Sequence, residues 1–251
     1  MSRTLLSKHR MAFRDFDYSL DFGELNSGRY VDFPYLFDPS TTDWTIAIFF
    51  RTNYYARDLN PWQSMAIVSQ TDGSGTGRSW LGINRTGMLL EDSFSGVSTV
   101  TNFSVNNFGW FHAVVTYDVA TSTRKIYVNG VLVHTAVVTI EPANGVMRIG
   151  SNKSVTRNIT GNLTEFRVWN RKLSDDEVAS YYFHNQFSRT NLLLEALFTD
   201  GPGSTVTDTS GNGNHGTITG AVWSPNVPPF KVRSSLLSAR SAIGVARNLA
   251  S

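Results

Sequence analysis

The feature that most constrains this chain is Asn129-Gly130, set between two short runs, Lys125-Ile126-Tyr127-Val128 and Val131-Leu132-Val133-His134. Asn and Gly tolerate positive φ at both central positions of a type I′ turn, and the twist of that turn matches two antiparallel strands. The pair predicts a tight β-hairpin. Similar signals run along the chain. Trp44-Thr45-Ile46-Ala47-Ile48-Phe49-Phe50 places Trp44, Ile46, Ile48 and Phe50 on one face of a strand. Phe111-His112-Ala113-Val114-Val115-Thr116-Tyr117 is apolar on both faces, as an inner strand is. Residues 145–150 and 163–169 read as further short strands. Strands return about every ten residues with turn residues between them, which is the pattern of a β-sandwich and not of alternating strand and helix.

One helix interrupts this pattern. Ser174-Asp175-Asp176-Glu177 is a capping box, in which the Ser174 hydroxyl serves the amide of Glu177 and the Glu177 carboxylate returns to the amide of Ser174. Leu173 and Val178 fit the accompanying hydrophobic staple, and the helix is predicted to run to about His184. Its acids sit at the positive end of the helix dipole.

The chain's 251 residues suit one large β domain. It has no cysteine, which excludes a disulfide framework and a thiolate metal site. Residues 1–10 contain no long apolar run, so no secretory signal is expected, and no stretch has the length of a membrane span. Net charge is +2 but unevenly placed. Arg3, Lys8, Arg10 and Arg14 stand in residues 1–14 with no acid, and Lys231, Arg233, Arg240 and Arg247 stand in residues 225–251 with no acid. The middle of the chain is left at −6. Beyond Pro225-Asn226-Val227-Pro228-Pro229, Leu236, Ile243 and Ala250 recur every seven residues, as do Arg233, Arg240 and Arg247. That spacing fits a short amphipathic helix with one basic stripe. Two basic arms on an acidic body either are simply solvated or meet something acidic.

At this point the sequence resembles the laminin-G-like domains of the concanavalin A-like jelly-roll superfamily. Ser27-Gly28-Arg29-Tyr30-Val31-Asp32-Phe33-Pro34 is similar to the family's early "DYV-P" strand, and residues 44–50 to its "FTISAWF" strand. Residues 109–118 match "W-HVA-TYD", Tyr127-Val128-Asn129-Gly130 matches "YVNG", and Arg148-Ile149-Gly150 matches "-IG". Residues 166–174 with Glu177 match "VRIYNRALS--E". Residues 208–216 resemble "DSSGNGNHG", a segment that in many relatives precedes the first strand but here follows the helix. Residues 191–224 are therefore expected to supply outer strands, a truncated second repeat being the alternative. The resemblance implies an all-β jelly-roll sandwich over residues 15–224, with a basic arm at 1–14 and a Pro-rich linker and basic amphipathic arm at 225–251.

Three chemistries are implied by the resemblance. Some relatives hold structural Ca²⁺, and Asp208, Asn212, Asn214 and Glu24 offer oxygens for it here. The other reading of that loop is a tight turn in which the same side chains bond backbone amides. Relatives also bind glycans by stacking aromatics on sugar faces. Tyr54, Tyr55 and Trp62 lie in a long loop, and Trp80 lies on a strand that can turn it either to a ligand or to the core. Relatives that are glucanases carry acids at alternate positions of one strand, where acid and nucleophile flank a glycosidic bond. No such triplet occurs here, nor a phosphate loop or nucleophile elbow, so no enzyme activity is expected.

The expected function is that of a non-catalytic structural protein. Fold analogy suggests a bacteriophage virion component, a capsid decoration or a tail or fibre protein, whose arms fasten it to other subunits. Its expected partners are those subunits and copies of itself, with no membrane and no nucleic acid. The alternative is a carbohydrate-binding, lectin-like module at a cell surface or outside the cell.

Overall fold

The computed structural model describes residues 16–24, 27–53, 64–71, 77–84, 88–92, 98–105 and 109–229. The strands before the helix are β1 (Ser19–Asp21), β2 (Tyr30–Phe33), β3 (Trp44–Thr52), β4 (Ser64–Thr71), β5 (Gly77–Asn84), β6 (Met88–Asp92), β7 (Ser98–Ser104), β8 (Trp110–Asp118), β9 (Thr123–Val128), β10 (Val131–Val137), β11 (Met147–Ile149) and β12 (Gly161–Trp169). Helix α1 (Asp175–His184) follows, then β13 (Leu192–Ala196), β14 (Thr205–Val206), β15 (Gly216–Thr219) and β16 (Val222–Ser224).

These strands form two eight-stranded sheets. The first has the order β10-β9-β8-β3-β12-β1-β16, with β13 also paired to β12. The second has the order β14-β15-β2-β11-β4-β5-β6-β7. Every pairing between strands is antiparallel. The C-terminal strands take outer places in both sheets, as the displaced Gly/Asn-rich segment suggested.

The core lies between the sheets. Trp44, Ile46, Ile48 and Phe50 of β3 meet Phe111, Ala113, Val115 and Tyr117 of β8 there, together with Val31, Phe33, Met147 and Ile149 of the second sheet. Trp80 belongs to this core. It is 2% exposed, with its ring edge-on to Trp44 at 5.3 Å between centroids. The glycan-facing option for Trp80 is thereby corrected, because β5 turns the indole inward and leaves no face for a sugar.

The first sheet is buried on its other side too. Helix α1 lays Val178 and Tyr181 over Ala47, Val114, Tyr127 and Trp169, and Leu173 and Leu192 complete this smaller cluster. His112, at the "W-H" position, stacks on Phe49 at 4.4 Å and on Tyr182 at 5.7 Å beneath the helix. The capping box forms as read, with Ser174 Oγ accepting from the Glu177 amide, and Asn185 ends the helix at φ 51°. Asn129 and Gly130 have φ of 51° and 78°, the two positive values that a type I′ hairpin needs. Gly161 opens β12 where a Cβ would lie 1.9 Å from the Arg51 carbonyl oxygen, so glycine lets β12 approach β3.

Candidate functional site

Where β8 turns into β9, alternate residues project from the outer side of the first sheet, because strand side chains have a period of two. Thr116 and Asp118 of β8 and Thr123, Lys125 and Tyr127 of β9 form a floor. The wall is Lys172, Leu173, Ser174, Asp175 and Asp176, the segment that leads from β12 into the first turn of α1. Floor and wall border an open cleft of about 460 Å³. That volume is within the range of small-ligand sites.

Four of the five charged groups of the cleft are paired across it. Lys125 Nζ donates to Asp175 Oδ1 at 2.7 Å and Oδ2 at 3.0 Å, and the Tyr127 hydroxyl donates to the same Oδ1 at 2.7 Å. Lys172 Nζ donates to Asp118 Oδ2 in a second close pair, and the Thr121 amide donates to Asp118 Oδ1 at 3.1 Å. The hydrogen bond from Lys172 holds the Asp118 carboxyl below its ordinary range, and the same bond raises Lys172. Hydrogen bonds from Lys125 and then Tyr127 lower Asp175. Burial, followed by the bond to Asp175, raises the Tyr127 phenol. All four groups therefore stay in their ordinary neutral-pH forms. The lining carries three acids, Asp118, Asp175 and Asp176, against two lysines. Such a surface alternates donors and acceptors, as a neutral polyhydroxylated ligand requires.

Tyr54, Tyr55 and Trp62 are outside the described residues. Arg3, Lys8, Arg10, Arg14, Lys231, Arg233, Arg240 and Arg247 are also outside the described residues.

Asp208 forms a clasp and does not fit a calcium site. Its Oδ1 accepts from the amides of Glu195 and Ser210, each at 2.9 Å. Its Oδ2 accepts from Ser210 Oγ at 2.8 Å and from the Asn214 amide at 2.9 Å. Asn212 and Asn214 donate their side-chain amides to the Leu192 and Leu193 carbonyls, at 2.8 Å and 2.9 Å, and so tie the loop to β13. Glu24 is exposed and follows β1, which runs toward the start of β12 and away from β13. Ca²⁺ takes six to eight oxygens. One carboxylate with both oxygens occupied by donors does not supply them, and no group of three or more His, Asp or Glu gathers among the described residues.

Sequence reading missed a buried charge network beside this clasp. Arg167 of β12 donates to Glu195 through Nε at 2.9 Å and contacts Glu165 and the Tyr181 hydroxyl through Nη1. Its guanidinium lies 4.2 Å from the centroid of the Phe187 ring. Arg189 Nη1 and Thr209 Oγ1 complete Glu195, at 2.7 Å and 2.9 Å. Burial alone would lower Arg167, but Tyr181, Glu165 and Glu195 raise it on balance. Glu165 sits at φ 48° in a bulge of β12, the irregularity that turns its carboxylate to this network.

With fold and site in view, comparison identifies the class. The chain belongs to the concanavalin A-like lectin/glucanases superfamily, whose laminin-G-type family profile matches residues 25–179. A search of curated protein sequences gave no match. A protein described as a "putative carbohydrate binding protein" from Bacteroides ovatus superposes with a TM-score of 0.63 at 17% identity, over 84% of this chain and 60% of that one. This chain thus spans 60% of that relative's length. The heptameric SAP-like pentraxin of Limulus polyphemus superposes with a TM-score of 0.51 at 16% identity, over 68% of this chain and 84% of that one. Both likenesses show the fold alone. Among the described residues no helix is long and apolar enough to cross a membrane.

Proposed function

We propose that this chain is a carbohydrate-binding, lectin-like module without catalytic activity, and that a neutral glycan occupies the cleft between β8, β9 and the start of α1. The observation that carries this reading is the cleft itself. Its lining of Thr and Ser hydroxyls, a phenol and alternating ammonium and carboxylate groups matches the paired donors and acceptors of vicinal sugar hydroxyls. The printed description of the Bacteroides ovatus relative supports the same ligand class. Asp118, Lys125, Lys172 and Asp175 are engaged with one another, an arrangement suited to holding a ligand and not to transferring a proton.

A glycan array probed with the full chain tests this. Lys125→Ala and Asp118→Ala are expected to weaken binding at least tenfold, a loss of about 1.4 kcal/mol. Trp62→Ala is expected to leave it intact, and added calcium or chelator to change nothing. Failure to bind any glycan overturns the reading. Loss in Trp62→Ala with retention in the cleft variants moves the site to the aromatic loop. Release of reducing sugar from a glucan panel would make the protein an enzyme.

A second reading rests on the segregation of charge between arms and body. In it the jelly roll is a structural subunit of a virion, fastened by its arms. Chains lacking residues 1–14 or 230–251 are then expected to fold but to stay out of the particle. Their normal incorporation would refute it.

A further inference from the structure

We infer that the cleft takes a glycan carrying an apolar aglycone, an alkyl or aryl group that lies on the outer face of β10. The inference rests on the glycan reading of the cleft and adds the class of ligand. It starts from the register of three strands. Asp118 of β8 stands opposite Thr123 of β9, and Thr123 stands opposite Val137 of β10. In the next row Thr116 faces Lys125, and Lys125 faces Thr135. In the row after that Tyr127 faces Leu132. Residues directly opposite one another in an antiparallel ladder project to the same side of the sheet, with Cβ atoms about 5 Å apart. The floor of the cleft therefore continues onto β10.

A β-bulge makes this continuation apolar at both ends. The register slips between Leu132 and His134, so Val133 is the extra residue. Leu132 and Thr135 are three apart and would face opposite sides of a regular strand. With Val133 inserted, both face the side of the cleft, while Val133 and Ala136 pack against the main core. Val137 is 77% exposed and Leu132 41%. Past Leu132, Phe183 of α1 is 57% exposed, and its ring lies against Gly130, where an added Cβ would come within 3.1 Å of it. The strip formed by Phe183, Leu132, Thr135 and Val137 carries no charge.

The chemistry thus changes across one continuous face. Over β8 and β9 it offers hydroxyls, ammonium groups and carboxylates, and over β10 it offers methyl groups with the Thr135 hydroxyl between them. A ligand that covers both parts is polar at one end and apolar at the other, as an alkyl or aryl glycoside is. Size separates this occupant from a protein. From the row of Val137 to the row of Leu132 the strip is about 13 Å long and about 5 Å, one strand, wide. That is far below the roughly 800 Å² that a standard protein interface takes from each partner. It matches a chain of several methylenes laid along the strand.

Titration calorimetry of the full chain with methyl, butyl and hexyl β-glucosides, β-galactosides and α-mannosides tests this. With at least one of these sugars the hexyl glycoside is expected to bind at least about tenfold more tightly than the methyl glycoside. The gain stays short of the roughly fourfold per methylene of complete burial, because β10 covers only one side of the chain. It should come with a more negative heat-capacity change. With Leu132→Ser and Val137→Ser together, the hexyl-to-methyl ratio is expected to fall to about threefold or less. Near-UV circular dichroism should stay unchanged, since both side chains are exposed. Equal affinity at the three chain lengths overturns the inference and leaves the glycan reading standing. A ratio that the double variant does not lower also overturns it, by placing the alkyl chain elsewhere. Hexyl binding that Lys125→Ala does not weaken, or no binding of any glycoside, overturns the glycan reading and this inference with it. Self-association in sedimentation velocity that the double variant abolishes overturns the inference by making a second copy the occupant of the strip.

Discussion

Arg167→Ala is expected to destabilise the fold by about 3–5 kcal/mol, the range for removing one member of a buried ion pair. The guanidinium is 4% exposed at the level of the residue and sits between Glu165 and Glu195, both nearly sealed from water. Deleting it leaves two carboxylates in an apolar surrounding made by Tyr181, Phe187 and Trp169. Glu195 keeps Arg189 and Thr209, and Glu165 keeps the Tyr181 hydroxyl at 2.9 Å, a neutral donor in place of a cation. Urea denaturation followed by tryptophan fluorescence measures the loss. The partners act as one unit, so replacing Glu165, Arg167 and Glu195 together by apolar residues should cost less than the single change. A single variant within about 1 kcal/mol of the parent would show that water reaches the network.

Asp208→Ala should cost about 2–3 kcal/mol, because one carboxylate serves three amides and a hydroxyl. Asp208→Asn should fall between, since its oxygen still accepts but its NH₂ turns toward donors. Chelator should leave the thermal midpoint of the parent where it is. The same carboxylate gives a pH dependence of known sign. Burial pushes Asp208 up, but the amides of Glu195, Ser210 and Asn214 and the Ser210 hydroxyl bring it below its ordinary value. Burial also pushes Glu195 up, and Arg167, Arg189 and Thr209 bring it down. Both are lower in the folded than in the unfolded chain. Their stabilisation is therefore complete above the ordinary carboxylate range, about pH 4, and is lost as pH falls through the depressed native values. In Asp208→Ala the acid limb of a stability-against-pH curve should flatten, and an unchanged limb would assign the dependence to other groups.

The sandwich was legible because its signals are local. Asn129-Gly130 dictates a turn on its own, Ser174 and Glu177 cap a helix within four residues, β3 advertises burial through its alternation and β8 through being apolar on both faces. The cleft and the charge network were not legible, because each joins residues that only the topology brings together. Lys125 meets Asp175 and Asp118 meets Lys172 across about fifty residues of chain. Asp175 read simply as a helix-capping acid, which it is, and its second role toward Lys125 and Tyr127 had no local sign. Arg167 and Glu165 are charged and two apart on a strand, and nothing near them in the sequence shows that Tyr181 of the helix and Glu195 of β13 close over them. Trp80 was ambiguous for a related reason, since a strand's alternation does not say which face is wet.

The placement of β16 also bears on how the molecule comes to exist. Ser19 waits for Ser224, and its hydroxyl for Asn226, more than two hundred residues later in synthesis. The family match ends at residue 179, yet β13 to β16 fill outer places in both sheets. A nascent chain emerging from the ribosome thus carries two unfinished sheets with open edges until its last strands appear, and such edges are where chains stick to one another. Final closure waits for β16 and is a step of high contact order and correspondingly slow. The body shared with the family's other members is, in this protein, completed by strands that lie beyond the residues the family profile matches.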